Sequence, residues 1–392
     1  MDQLFVNLKH WILSWSLWPD ALKPLVSAML TIAPILVVFP LMFALMTVIE
    51  RKGLGRIQNR LGPNRVGPYG ILQFAADGLK MLTKEDIVPR AADRVLHFLA
   101  PVVLIVPIML SFSVIPYGRK MVPVDLDAGI LFFFAVGSAT ELSIFMAGWS
   151  SHNKYALLGA MRSMAQMISY EMPLIISSLT VVMLAGTLSL VQIVEQQGGY
   201  LWGWLPQWNL FTPWGLAGFL LFFVATLAES NRSPFDLPEA ESEIIAGYFV
   251  EYSGFKFALF FLGEYLGLFA ISGLGISLFL GGWNAPLGIL TWLPSWFWFF
   301  AKLAVLLAVF IWIRGTLPRL RADQLMNFAW KFMLPMTLLN VVVAAGWHYS
   351  GVAGWNLILR WVVCGGVILV AYQQLGRSFE TKVTKRTYRY AE

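Results

Sequence analysis

Long apolar runs separated by short polar stretches set the pattern of this chain from end to end. A run of roughly 18 or more mostly apolar residues is long enough to cross a hydrocarbon core as a helix. Nine such runs stand at about 25–49, 95–117, 128–149, 157–186, 211–229, 251–282, 295–313, 328–348 and 355–375. They predict an all-α polytopic membrane protein with about nine transmembrane helices. Its parts are an N-terminal extracytoplasmic segment (1–24), a single membrane domain (25–375) and a basic cytoplasmic tail (376–392). The first run reads as a retained span rather than a cleaved signal. It is long, contains Pro34 and Pro40, and meets Glu50-Arg51-Lys52 instead of a small-residue cleavage site. The sixth run is the least clean, because it carries Glu251, Lys256 and Glu264.

Between the first two runs the period changes. Over Tyr69–Glu85, at about 100° per residue, Ile71, Leu72, Ala75, Leu79 and Leu82 fall on one face, with Gln73, Asp77, Lys80 and Lys84 opposite. This predicts an amphipathic helix lying at the cytoplasmic membrane surface. Asp77, an acid beside two lysines, is its one residue that could instead point into a cavity. The preceding Gly62–Gly70 segment, with Pro63 and Pro68, is a rigid helix-breaking turn.

Composition supports the membrane class. Of 392 residues, 58% are hydrophobic and 13% charged, whereas soluble domains run near 45–50% and about 25%. The net charge of +6 is informative through its distribution, and no nucleic-acid partner is expected. Arg51, Lys52, Arg56, Arg60 and Arg65 open a strongly basic loop after the first run. Arg314, Arg319, Arg321 and Lys331 follow the seventh, and the tail adds Arg377, Lys382, Lys385, Arg386 and Arg389. The opposite side holds only Lys9, Lys23, Arg119, Lys120 and Arg360. The positive-inside rule makes the basic side cytoplasmic, with the N-terminus outside and the C-terminus inside. The outer loops carry Trp202, Trp204, Trp208, Trp214, Trp283 and Trp292, which read as interfacial anchors rather than a ligand cage.

Composition also limits the chemistry. The single cysteine, Cys364, allows neither a disulfide nor an iron–sulfur cluster on this chain alone. His10, His97, His152 and His348 lie far apart without metal-binding spacing, and Gly273-Leu-Gly275 lacks the strand–helix setting of a dinucleotide site. No metal site, bound cofactor or catalytic residue is therefore expected on this chain alone.

The unusual residues are acids. A charge near the bilayer centre costs roughly 2.5–3.5 kcal/mol on insertion scales, so such residues face protein or water and usually have a task. Glu141 falls inside the third run and Glu171 midway along the fourth, just before Pro173, where a backbone break is expected. Glu229 closes the fifth, and Glu251 and Glu264 fall in the sixth. Structural ion pairs could account for one or two of them. Within the third to seventh runs Lys256 and Lys302 are the only bases, with Arg162 at an edge, so proton or ion handling is the stronger reading. Glu251 and Glu264 lie about 220° apart around a regular helix, so a shared face requires a broken helix. The loop after the fifth run, Ala228–Glu243, lies on the basic side yet carries Asp236, Glu239, Glu241 and Glu243, with only Arg232 to offset them. It reads as a defined loop that relays protonation to the buried acids rather than as a solvated charge run.

Together these stretches resemble the H subunit of respiratory complex I, the proton-pumping NADH:quinone oxidoreductase, in a bacterial or plastid-like form. The matching residues are Glu50-Arg51-Lys52, Arg60–Gln73, Ala76–Lys80, Thr83–Glu85, Asn153–Gly159, Ser169–Met172, Ala228–Asp236, Glu239–Glu243, Gly263–Tyr265, Arg314–Arg319 and Asp323–Met326. They cover roughly residues 25–350 in order.

The resemblance implies a subunit that docks the peripheral redox arm and forms much of a quinone chamber. Arg51, Arg60, Asp77, Glu229, Arg232, Asp236, Glu239, Glu241 and Glu243 would line the chamber or its loops. Glu141, Glu171, Glu251 and Glu264 would form an acidic path toward antiporter-like subunits. Quinone is the implied substrate, while FMN and the iron–sulfur clusters belong to partner subunits, the terminal cluster on a quinone-site neighbour. Small membrane subunits and lipid complete the expected surroundings, in a bacterial inner membrane. Three other readings share some of these features: the membrane anchor of an ion-pumping hydrogenase or formate-hydrogenlyase, a secondary transporter with midplane acids, and a purely structural anchor.

Overall fold

In a computed structural model of the chain, residues 4–14, 19–20, 22–201, 205–236 and 247–377 are described. The helices are α1 (Leu4–Leu13), α2 (Lys23–Ile57), α3 (Gln73–Thr83), α4 (Arg94–Ser111), α5 (Gly129–Gly137), α6 (Ala139–Ser150) and α7 (Lys154–Ala185). After them come α8 (Leu190–Gln196), α9 (Pro213–Glu229), α10 (Gly254–Phe279), α11 (Ser295–Thr316), α12 (Ala322–Phe328), α13 (Leu334–Val352) and α14 (Leu357–Arg377). A two-residue antiparallel pair, Tyr200–Leu201 with Leu205–Pro206, closes one loop.

Eight helical stretches are long and apolar enough to span a membrane, and the shorter apolar α9 stands where the fifth run was expected. Helix stands at each of the nine runs, although the helix at the sixth begins only at Gly254. The third is assembled from α5 and α6, and the eighth from α12 and α13 joined by a π-helical turn at Ala329–Met333. Caps mark several ends. The Asp93 carboxylate accepts from Val95 and Leu96 at the start of α4, Asn153 from Tyr155 at α7, and Thr212 from Gly215 at α9. Gly186 ends α7 in the left-handed conformation at φ 67°, which glycine adopts without steric cost.

The core is packed from the inner faces of α4, α6, α7, α9, α10 and α13, with Tyr170, Tyr248, Phe260 and Phe279 among its fully buried side chains. Small residues allow close approach. A Cβ on Gly159 would lie 2.7 Å from the backbone of Gly247, so α7 can pack against the segment that leads into α10 only with glycine there. The outward faces of α2 and α14 stay apolar and exposed, as lipid-facing helices do.

Three expectations need correction. Pro173 does not break α7, which runs unbroken from Lys154 to Ala185; neighbouring helices tolerate a proline ring within a membrane helix. Glu251 is not in a span, because α10 starts at Gly254, after a left-handed turn at φ 56°. Near it, Lys256 pairs with Asp86 at 2.8 Å. Trp208, Trp214 and Trp283 are buried rather than interfacial. The loop carrying Trp208 folds over the end of α10, where Lys302 donates to the carbonyls of Leu280, Gly282 and Asn284 with its ammonium 4.1 Å from the Trp208 ring centroid. Trp292 is exposed as expected, and Trp202 and Trp204 lie outside the described residues.

Candidate functional site

Two charged assemblies meet at the end of α9. The first centres on Glu50, on the last turns of α2. Its carboxylate is buried and receives the Tyr265 hydroxyl at 2.5 Å, Arg232 Nη1 at 3.5 Å and Arg314 Nη1. Arg232 also lies flat on Tyr265, its guanidinium carbon 3.8 Å from the ring centroid. Four elements supply this cluster: α2, the turn after α9, α10 and the end of α11. Burial disfavours the Arg232 cation, but Tyr265, Glu50 and Glu264 outweigh it and hold the guanidinium above its ordinary value.

The second assembly is a cavity of about 80 Å³ lined by Glu171 of α7, Glu229 of α9 and Glu264 of α10, with Thr140, Ser230 and Asn231. One ordered water needs roughly 10–15 Å³ of such space, so the cavity can hold a short file of waters. Glu264 accepts from the Tyr248 hydroxyl at 3.1 Å. Glu141, one helix away on α6, interacts electrostatically with Glu171, and one of its buried oxygens has no hydrogen-bond partner among the described residues. Glu229 interacts electrostatically with both, and one of its oxygens has no partner among the described residues. None of Glu141, Glu171 and Glu229 forms an ion pair among the described residues.

The turn from Ser230 to Asp236 joins the assemblies. Ser230 and Asn231 face the cavity, while Arg232 turns toward Glu50. Gln166, fully buried on α7, clamps this turn by donating to the carbonyls of Ala228 and Phe235, both at 2.7 Å. Among the described residues Arg232 pairs with Glu50. Asp236 is instead held by Arg319 at 2.7 Å, a residue brought in by the segment after α11. Glu239, Glu241 and Glu243 lie outside the described residues.

The remaining candidates are dispersed. Asp77 accepts from Arg51 at 2.5 Å and from Gln73 at 2.9 Å, which fastens α3 to α2 and leaves Asp77 paired rather than projecting into the cavity. Lys52 adds a bond to the Tyr69 carbonyl. Arg60 is exposed and bonds Gln58 at 2.7 Å. Glu251 accepts from Asn153 at 2.7 Å and does not line the cavity. Glu50, Tyr265, Arg314 and Arg319 lie within the family motifs but carried no expected part in the site, Arg314 and Arg319 being read only as bases that set the orientation. The available signal was Glu50 at the membrane edge, an acid directly ahead of two bases. Sequence reasoning missed Gln166 and Tyr248 altogether, since a lone amide or phenol in an apolar run carries no charge signal.

A sequence profile of the family described as NADH dehydrogenase matches residues 30–345. The H subunit of NADH-quinone oxidoreductase from Dehalococcoides mccartyi (strain CBDB1) is 52% identical over 297 residues, covering 76% of this chain and 80% of the relative. The protein of the same name from Geobacillus kaustophilus is 50% identical, covering 76% and 86%. That from Polaromonas naphthalenivorans is 42% identical over 354 residues, covering 87% and 96%.

Proposed function

The chain belongs to the family of the NADH-quinone oxidoreductase H subunits, and we propose that it serves as the membrane subunit that couples quinone reduction to proton transfer in a proton-translocating NADH:quinone oxidoreductase. The observation that carries this reading is the position of Arg232. Its guanidinium is held against Glu50 while Ser230 and Asn231 of the same turn line the acidic cavity, so one short turn joins the basic-side cluster to the cavity.

The quinone chamber is assigned to the basic side, between α2, α3 and the turns after α9 and α11. We assign to it Arg51, Arg60, Asp77 and Asp236, together with Glu239, Glu241 and Glu243, which lie outside the described residues. Glu229, by its place in the cavity, joins Glu141, Glu171 and Glu264 in the proton path, and Glu251 stands at its basic-side margin. The membrane is the bacterial plasma membrane, with the basic side cytoplasmic. FMN and the iron–sulfur clusters are held by partner subunits, and the small and antiporter-like membrane subunits receive the output. No catalytic residue is assigned to this chain, since electron delivery and the head-group site lie on its partners.

Reduction of a quinone to a quinol consumes protons, and those drawn from the chamber loops leave them more negative. In a low-dielectric interior that change acts strongly on nearby charges. Arg232, fixed against Glu50 by its stack on Tyr265, transmits the field of that change toward Glu264. A changed field at Glu264 then alters how protons are distributed over Glu229, Glu171 and Glu141 through the cavity water. The coupling is a population shift in charge and proton position. The relatives' shared name favours this reading over a hydrogenase anchor or a secondary transporter.

The test is Glu171→Gln in the assembled complex. Reduction of an artificial acceptor by the peripheral arm should be unchanged while quinone-coupled proton pumping is lost. Wild-type pumping would refute the assignment.

A further inference from the structure

A crevice of about 1500 Å³ opens between α9, the α12–α13 helix and α14. Small-ligand pockets occupy roughly 300–1,000 Å³, so this space suits something larger. It runs the depth of the bundle, from Pro213 and Trp361 at one end to Leu320 and Gly376 at the basic side. The walls between are aliphatic and aromatic, with Leu220, Val224, Met336 and Leu369 among them. Charged and amide side chains gather at the basic end alone: Asp323, Gln324, Asn327 and Lys331.

Two features show that the crevice is not a site of ordinary helix packing. Glycines in membrane helices commonly mark close approach by a neighbouring backbone. Here Gly365, Gly366 and Gly376 line the space, and a Cβ added to any of them would meet nothing within 4 Å. The second feature is Lys331. It sits in the π-helical turn at Ala329–Met333, an irregularity that changes the direction of the following side chains. Its side chain is exposed and makes no ion pair among the described residues. Exposed Arg321 and Arg377 flank the same mouth, so the rim is net basic despite Asp323.

We infer that this crevice binds a phospholipid with an anionic headgroup, its acyl chains along α9 and α14 and its phosphate at Lys331. An oriented amphiphile matches a channel that is apolar along its length and basic at one end. An isoprenoid tail would leave the basic rim without a counter-charge. The lipid fills the gap that α14 leaves. That helix buries only Cys364 and Ala371 and otherwise rests on contacts such as Tyr372 against Phe332. The inference does not depend on the quinone reading.

The experiment is photolabelling of the assembled, purified complex with a photoreactive phosphatidylglycerol, with labelled residues mapped by mass spectrometry. Label is expected within 213–224 and 361–376. Lys331→Ala should reduce it about fivefold, the factor one basic residue contributes beside an anionic surface, and Lys331→Arg should restore it. A photoreactive phosphatidylcholine, whose choline cation offsets its phosphate, should label wild type more weakly and lose less on Lys331→Ala. Gly365→Leu with Gly366→Leu fills the space and should abolish labelling by both; if that variant fails to assemble, the Lys331 pair decides. Labelling unchanged in Lys331→Ala, equal labelling by the two lipids, preferential labelling by a photoreactive isoprenoid quinone, or a cross-link that places another subunit in the crevice would each overturn the inference.

Discussion

The guanidinium of Arg232 stacks on Tyr265, 3.8 Å from its ring centroid, while both residues bond the same Glu50 carboxylate. The stack holds the arginine in one orientation, so its charge is placed rather than mobile. The side chains of Arg232 and Glu50 are 9% and 7% exposed, so neither charge can fall back on water.

Arg232→Gln should therefore be strongly destabilising. Removing one partner of a buried ion pair costs about 3–5 kcal/mol, and Arg314 remains to offset Glu50 in part. A lowered thermal midpoint for release of this subunit from the assembled complex is the expected reading. Arg232→Lys should recover part of it, since lysine keeps the charge but not the flat stack. An unchanged midpoint in Arg232→Gln would show that the pair is not structural.

Asp77 behaves differently because its pair with Arg51 is partly exposed, at 34% and 53%. Such pairs contribute about 0–1 kcal/mol. Asp77→Asn should leave assembly and thermal stability near wild type while raising the KM for quinone severalfold. Exchanging the pair, Arg51→Asp with Asp77→Arg, should recover much of the loss. An unaltered KM would remove Asp77 from the quinone path.

Gly267 lines the acidic cavity, and a Cβ there would meet only Ile108, at an ordinary 3.8 Å. Gly267→Leu should fold and assemble while filling cavity space between Glu171 and Glu264 that could hold water. Proton pumping per quinone reduced, measured in closed vesicles, should fall more than quinone reduction itself. An unaltered ratio would mean that the water file carries no protons.

Tyr252, in the turn before α10, is pushed up to about 12 by burial, against a weaker opposing effect of its hydrogen bond with Ser150. Because the folded value lies above the ordinary 10.0, its contribution is complete below pH 10 and is lost as pH rises toward 12. Thermal stability of the complex should show this loss between those values, and Tyr252→Phe should reduce it. The same variant should be destabilised by about 1 kcal/mol at neutral pH through the lost hydrogen bond. A pH profile identical in wild type and variant would contradict the assignment.

The helical spans were legible because a bilayer admits backbone only when its polar groups are bonded internally, and that demand writes itself as long apolar runs. The acids Glu141, Glu171, Glu229 and Glu264 were legible for the same reason, as exceptions within those runs. Their grouping was not. Glu171 and Glu264 share a cavity although they lie on separate helices, and no spacing along the chain records how two helices face each other. Glu251 was misplaced because the apolar pattern hides the turn that delays α10 to Gly254.

Charge partners show the boundary most clearly. Sequence alone determined which residues are charged, and through the distribution of bases it supplied an expected orientation. Only the tertiary structure decided that Glu50 belongs with Arg232, Tyr265 and Arg314, and Asp236 with Arg319. Hydropathy is a property of consecutive residues, so it survives in a linear reading. An ion pair in a low-dielectric interior depends on distance in space, and helices far apart in the chain set that distance only when they pack.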